Sequence, residues 1–225
     1  MRTRFKADLD QLKQKLLAMG GLAEQAIDRA TQAYQMRDLK SCEMVFHGER
    51  AINIAEREID ELALDLLAMQ QPMAVDLRFI TAVTKINADL ERVGDQAVNI
   101  AERVMNLVAM PETDLPVDIP RLSGAASGMI RRSLEAFIAA DDVMAEAVLR
   151  MDDIVDRMNR EIFQAVVKRM HENPEVIPQC LDALLIARNF ERIGDHATNI
   201  AEDVIFWVRG SDVRHHASVV AEQKA

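Results

Sequence analysis

Residues Glu91 to Val104 read ERVGDQAVNIAERV and residues Glu191 to Val204 read ERIGDHATNIAEDV, with ten of fourteen positions identical at an offset of one hundred residues. Chance does not produce that density of identity, so the chain contains a duplicated unit, and one half must come close to a fold by itself. The break between copies lies in Met110 to Arg121, where Pro111, Pro116 and Pro120 interrupt any helix. These features divide the 225 residues into a first unit over 1–110, a linker over 111–120, a second unit over 121–210 and a flexible tail over 211–225 that carries His215 and His216.

Each unit has the period of long amphipathic helices. Phe5, Leu9, Leu12, Leu16, Met19, Ala23, Ala26 and Ala30 recur at spacings of four and three, the seam of a coiled-coil-like helix. Gly20 and Gly21 fall within it and lower its helicity by about 1 kcal/mol each relative to Ala, so a bend is expected there. A second helix carries Ile52, Ala55, Ile59, Leu62, Leu66 and Met69 and stops at Pro72; a third runs from Phe79 to Leu107. The second unit repeats the plan: a helix from about Leu122 to Ala139, one around Met144 to Ile162 ended by Pro174, and a last whose seam lies one hundred residues beyond that of the third. The predicted fold is all-α, two tandem homologous antiparallel three-helix bundles with six helices and internal pseudo-symmetry. Aromatics at 4% and only 8 Gly argue against the strand and turn density of an all-β chain.

Charge and motifs exclude several function classes. Lys+Arg number 27 against Asp+Glu 37, a net charge of -10 that disfavours nucleic acid and anionic lipid as direct partners. The longest uncharged stretch, Leu66 to Val75, is half of the ~20 residues needed to span a bilayer, and the opening residues lack an apolar signal region, so a cytoplasmic protein is expected. Cys42 and Cys180 have neither disulfide nor metal spacing and read as buried hydrophobes. No P-loop, no GxGxxG after a strand and no nucleophile elbow occurs, so no nucleotide cofactor or serine chemistry is indicated.

The chemistry that remains is carboxylate. At roughly 100° per residue, Glu91, Asp95, Asn99 and Glu102 fall within an arc of roughly 80°, expected opposite the Val93, Ala97 and Ile100 seam as an outward acidic stripe. Glu191, Asp195, Asn199 and Glu202 repeat it. A merely solvated face should drift after duplication, yet these positions match while the core position Leu90 has become Phe190. Stacked carboxylates repel along a helix, and all-oxygen ligands suit hard cations, so both stripes are candidate metal sites. The same acidic spacing recurs in Glu24 with Asp28, Glu56 with Asp60, and Asp152 with Asp156, which are further ligand candidates. His196 beside the second stripe is either another ligand or a solvent-exposed flank. Gly94 and Gly194, in the middle of strong helices, suggest close approach of another backbone or a ligand.

LERVGDQAVNIAE at Leu90 to Glu102 and FERIGDHATNIAE at Phe190 to Glu202, with QPMAVDLRFI at Gln71 to Ile80 and the opening RFKADLDQLKQKLLAMGGLAEQAI, resemble the PhoU family from about Thr3 to Val208. The resemblance implies a non-enzymatic cytoplasmic regulator, peripheral to the inner membrane through its partners, that restrains the phosphate-starvation response when phosphate is plentiful. It implies contact with the ATPase subunit of the phosphate ABC importer and with the membrane sensor histidine kinase. Separately, a Met-rich or apolar flank on the long helices points to a homodimer. The resemblance also implies iron, zinc or another divalent metal held by acidic motifs that here correspond to Glu91 with Asp95 and Glu191 with Asp195. Asp76 and Arg78 lack a clear counterpart in the second unit, so a site dependent on them would exist once. Two other readings stand beside this one: a carboxylate-rich metal-binding bundle for storage or redox, and a purely structural dimerising bundle. A di-iron enzyme is disfavoured because Glu-x-x-His is absent.

Overall fold

The computed structural model describes residues 2–211, and side chains from Phe5 onward. Six long helices run in order: α1 (Arg2–Met36), α2 (Leu39–Gln70), α3 (Val75–Ala109), α4 (Ile119–Ala139), α5 (Asp142–Glu172) and α6 (Ile177–Arg209), with one short 3₁₀ turn (Pro174–Val176) before the last. The expected six-helix, two-bundle architecture is what the chain adopts. The tail histidines His215 and His216 lie outside the described residues. Among the described residues no helix is long and apolar enough to cross a membrane.

α1 runs as one helix through Gly20 and Gly21. Gly20 is a packing residue: a Cβ there would stand 2.6 Å from Leu134 Cδ1 of α4, whereas Gly21 faces open space. The helix tolerates two glycines because its buried face, Leu12, Leu16, Met19, Ala23 and Ile27, supplies the stabilisation that intrinsic propensity lacks. Pro120 belongs to the first turn of α4 instead of the linker, where its missing N–H is no loss. Pro178 plays the same part in α6.

The duplication extends to the helix junctions. α1 turns into α2 through Arg37 at φ 48° followed by Asp38, and α4 turns into α5 through Ala140 at φ 51° followed by Asp141. In both, the aspartate caps the next helix: Asp38 accepts from the N–H of Lys40 and Ser41, and Asp141 accepts from that of Met144 at 2.9 Å.

The two bundles pack into one body mainly through α3 against α6, supported by α1 against α4. The central pair is antiparallel: Lys85 meets Asp203 at 3.0 Å, Asp89 meets His196 at 2.8 Å and Asn199 at 3.0 Å, and Asn106 meets Asp182 at 3.4 Å. At one end Phe79, Phe137 and Trp207 from α3, α4 and α6 form an aromatic cluster, Phe79 and Trp207 edge-on at 5.1 Å. Arg78 donates to the Trp207 carbonyl at 3.1 Å. Cys42 and Cys180 are buried free thiols.

Candidate functional site: two acidic clusters

The two stripes are outward only in part: Asp195, Asn199 and Glu102 are exposed, whereas the leading glutamates are withdrawn from solvent. Glu191 is buried and the Glu91 side chain is only 19% exposed. The seam drawn from Val93, Ala97 and Ile100 was too narrow: α3 is covered on one flank by α2 and on another by α6, and α6 likewise by α5 and α3. Each acidic pair therefore looks into the groove beside its neighbouring helix.

Gly94 and Gly194 set the closeness of that groove. A Cβ on Gly94 would lie 2.9 Å from Ile52 Cδ1 of α2; one on Gly194 would lie 3.3 Å from Val155 Cγ1 and 3.7 Å from Asp152 Oδ1 of α5. These contacts make Ile52 and Val155 equivalent, and with them Glu49 and Asp152, Asn53 and Asp156. The first cluster is thus Glu91 and Asp95 of α3 with Glu49, Asn53 and Glu56 of α2, Asn53 donating to the Glu49 carboxylate. The second is Glu191 and Asp195 of α6 with Asp152 and Asp156 of α5.

Burial and mutual repulsion shape both. Burial pushes the Glu91 carboxyl up, Asp95 adds to the rise and Arg92 opposes it. Arg92 reaches the Asp95 carboxylate at 3.1 Å. In the second cluster burial raises Glu191 and Asp195, with Arg188 opposing in each case; Arg188 is ion-paired to Glu191. Asp152 is the most perturbed, pushed up to about 6 by burial and then by the charges of Asp156 and Asp195. Its Oδ1 is buried without a hydrogen-bond partner, and so is Asn53 Oδ1 in the first cluster.

The other candidate ligands separate from these clusters. Glu24 pairs with Arg131 of α4 at 3.0 Å, tying the bundles together, and Asp28 is exposed beside the same α1–α4 groove. Glu56 lends its charge to the first cluster, but Asp60 accepts from Asn87 at 2.9 Å. His196 is part-buried rather than an exposed flank, and with Asn199 it binds Asp89 across the α3–α6 interface. Glu202 lines a mixed-charge groove on that interface with Lys85 and Arg92. Asn99 is half-buried and Glu102 exposed.

Sequence reasoning missed Glu49 and Asn53, because Asn53 breaks the Glu/Asp-x-x-x-Asp pattern. The signal was available: counted from the capping residues Asp38 and Asp141, Glu49 and Asp152 hold the same place, as do Asn53 and Asp156. The donors are all oxygen and include two orphaned buried atoms, which suits a hard cation in kind. Among the described residues, however, no three His, Cys, Asp or Glu side chains converge closely enough to hold an ion.

Fold and site together define a duplicated helical protein whose two bundles each present an acidic cluster between helices. The PhoU domain matches residues 16–104 and again residues 119–204. The chain belongs to the PhoU domain family. It is 38% identical over 213 residues to the phosphate-specific transport system accessory protein PhoU homolog of Pseudomonas putida, covering 94% of this chain and 83% of that one. To the corresponding accessory protein of Serratia marcescens it is 34% identical over 212 residues, with 94% and 87% covered. The crystal structure of PhoU from Pseudomonas aeruginosa superposes with a TM-score of 0.88 at 37% identity, covering 92% of this chain and 100% of that one. The phosphate transport system regulatory protein PhoU from Streptococcus pneumoniae gives a TM-score of 0.87 at 26% identity, over 93% and 99%. None of these names describes an enzyme.

Proposed function

We propose that this chain is a non-enzymatic regulator of phosphate transport that restrains phosphate uptake and phosphate-starvation signalling when phosphate is plentiful. It does so at the cytoplasmic face of the membrane, by docking on the ATPase subunit of a phosphate ABC importer and on the cytoplasmic part of a sensor histidine kinase. The observation that carries this reading is the match of both halves, over nearly the whole chain, to proteins named as accessory and regulatory components of phosphate transport. Two helical bundles fixed together by α3 and α6 offer separate faces to two partners, and a dimer of the chain would double them.

The test is a phosphate-starvation reporter such as alkaline phosphatase, in phosphate-replete cells lacking this gene. High activity in the deletion strain, brought low by the wild-type gene, supports the regulator; a deletion strain with low activity defeats it. Binding of the purified chain to the importer ATPase or the kinase fragment is the biochemical counterpart.

A second reading, a divalent metal such as iron or zinc held at the acidic clusters, draws on one observation: the orphaned Asp152 Oδ1 among the carboxylates of Asp156, Glu191 and Asp195. Titrating metal-free protein with each ion by calorimetry tests it. Stoichiometric binding abolished by Asp152→Asn with Asp195→Asn supports it, and absence of heat above the buffer blank removes it.

A further inference from the structure

The duplication supplies an internal control for the surface. On the α2–α3 side of the first bundle, Asp60, Thr81, Thr84 and Lys85 are polar; at the equivalent places on the α5–α6 side of the second stand Phe163, Leu181, Leu184 and Leu185. Phe163 is 56% exposed, Leu181 51% and Leu185 43%, and Ile177 extends the same α6 face at 37%. Surface positions that are polar in one copy and apolar in the other mark a face that solvation does not explain. Ile177, Leu181 and Leu185 recur every four residues along α6, and the antiparallel register set by Gly194 on Val155 brings Phe163 of α5 alongside Leu184 and Arg188.

This apolar strip runs directly into the second acidic cluster. Asp156 and Asp152 lie seven and eleven residues before Phe163 on the same helix, about 10 and 16 Å away at 1.5 Å per residue. Among the described residues Glu191 is ion-paired to Arg188 and Asp156 to Arg160, whereas neither Asp152 nor Asp195 has an ion pair. The groove therefore joins an apolar end to an end with net negative charge, where Arg188 offsets only part of the charge on Glu191 and Asp195 and no cation is paired with Asp152.

We propose that the α5–α6 groove docks an amphipathic helix of a partner protein, with apolar anchors over Phe163, Leu181 and Leu185 and a Lys or Arg two to three turns along the same face meeting Asp152 and Asp195. The charge pattern selects this occupant, since apolar anchors alone would fit any helix whereas the acidic end requires a cation at a fixed distance. The first bundle shares the apolar residue at the start of the strip, Leu77 for Ile177, but carries Asp60, Thr81 and Lys85 where the anchors would sit, and does not take such a helix. The proposal rests on the adapter reading above and names the face used.

The test uses the full chain and a synthetic 20-residue amphipathic helix carrying Leu at positions 3, 6, 7 and 10 and Lys at positions 14 and 17, with a control carrying Glu in place of the Lys. Fluorescence anisotropy is measured against the wild type, against the triple variant Phe163→Asp, Leu181→Thr, Leu185→Lys, which installs the first bundle's residues, and against Asp152→Asn with Asp195→Asn. Circular dichroism checks the fold of each variant. The expected result is saturable binding of the Lys peptide, weakened at least tenfold by the triple variant and severalfold by the Asn pair, with the Glu peptide at least tenfold weaker on the wild type. Equal binding by the triple variant, or equal binding of the two peptides, overturns the proposal. So does a triple variant that converts a wild-type dimer to monomer in sedimentation, which would make a second copy the occupant. Loss of phosphate regulation on gene deletion, with a groove indifferent to the peptide, sinks this inference alone; the converse pattern sinks the regulator alone.

Discussion

Asp152 is the residue on which the electrostatics of the second cluster converge. Its carboxyl is raised from 3.8 to about 6, so the folded chain holds a proton there that the unfolded chain has already released. Between about pH 4 and pH 6 the folded state binds more protons than the unfolded one, and this group's contribution to stability falls as the pH rises through that window. Above it the ionised carboxylate is a standing cost. Asp152→Asn is expected to stabilise the protein at pH 7 by about 1–2 kcal/mol, discounted for partial solvent screening, and to leave stability at pH 3.5 nearly unchanged. Urea unfolding at the two pH values checks this; equal effects at both would show that packing and not ionisation is responsible. The acidic pairs on α3 and α6 were legible as residues because the repeat displayed them twice. The withdrawal of Glu91 and Glu191 from solvent was not, because it depends on what α2 and α5 place opposite.

At the scale of the helix, glycine and left-handed residues separate packing from propensity. Gly21 is exposed with open space at its Cβ position, so Gly21→Ala should add about 1 kcal/mol, the ordinary helix-propensity gain. Gly20→Ala should give no such gain, because the new methyl meets Leu134 Cδ1 at 2.6 Å and α4 must yield. Thermal melts of the two variants read the difference directly. Ala140 ends α4 at φ 51°, a conformation that costs an L-residue energy that glycine escapes, so Ala140→Gly is expected to stabilise by up to about 1 kcal/mol. A loss of stability there would mean that the Cβ makes contacts outweighing the backbone strain. Helix number, order and approximate ends followed from periodicity and proline. The continuity of α1 through Gly20 and Gly21 was not legible in local propensity, because the tertiary packing of its buried face holds the helix together.

At the scale of the whole molecule, the antiparallel α3–α6 pair decides how two homologous bundles become one body. Asp89 accepts from His196 and Asn199 across that interface, and Gln96, the counterpart of His196 in the first half, is buried in its own setting, so the duplicated helices meet through non-identical contacts. Asp89→Ala should destabilise the chain by about 1–3 kcal/mol, and a double-mutant cycle with His196→Ala should return a coupling of at least about 0.5 kcal/mol. Additive losses would show that the pair is incidental to the interface.

The sequence alone determined the all-α class, the duplication, the helix order and the family, because periodicity and repeated motifs are written along the chain in one dimension. The tertiary structure decided which carboxylates meet. Glu49 and Asn53 join Glu91 and Asp95 only because Gly94 lets Ile52 close on α3, while Asp60, Glu24 and His196, equally eligible by spacing, are drawn to Asn87, Arg131 and Asp89. Spacing fixes which face of a helix a residue occupies. What that face meets depends on the register and crossing of neighbouring helices, which are set by packing volumes contributed from distant parts of the chain.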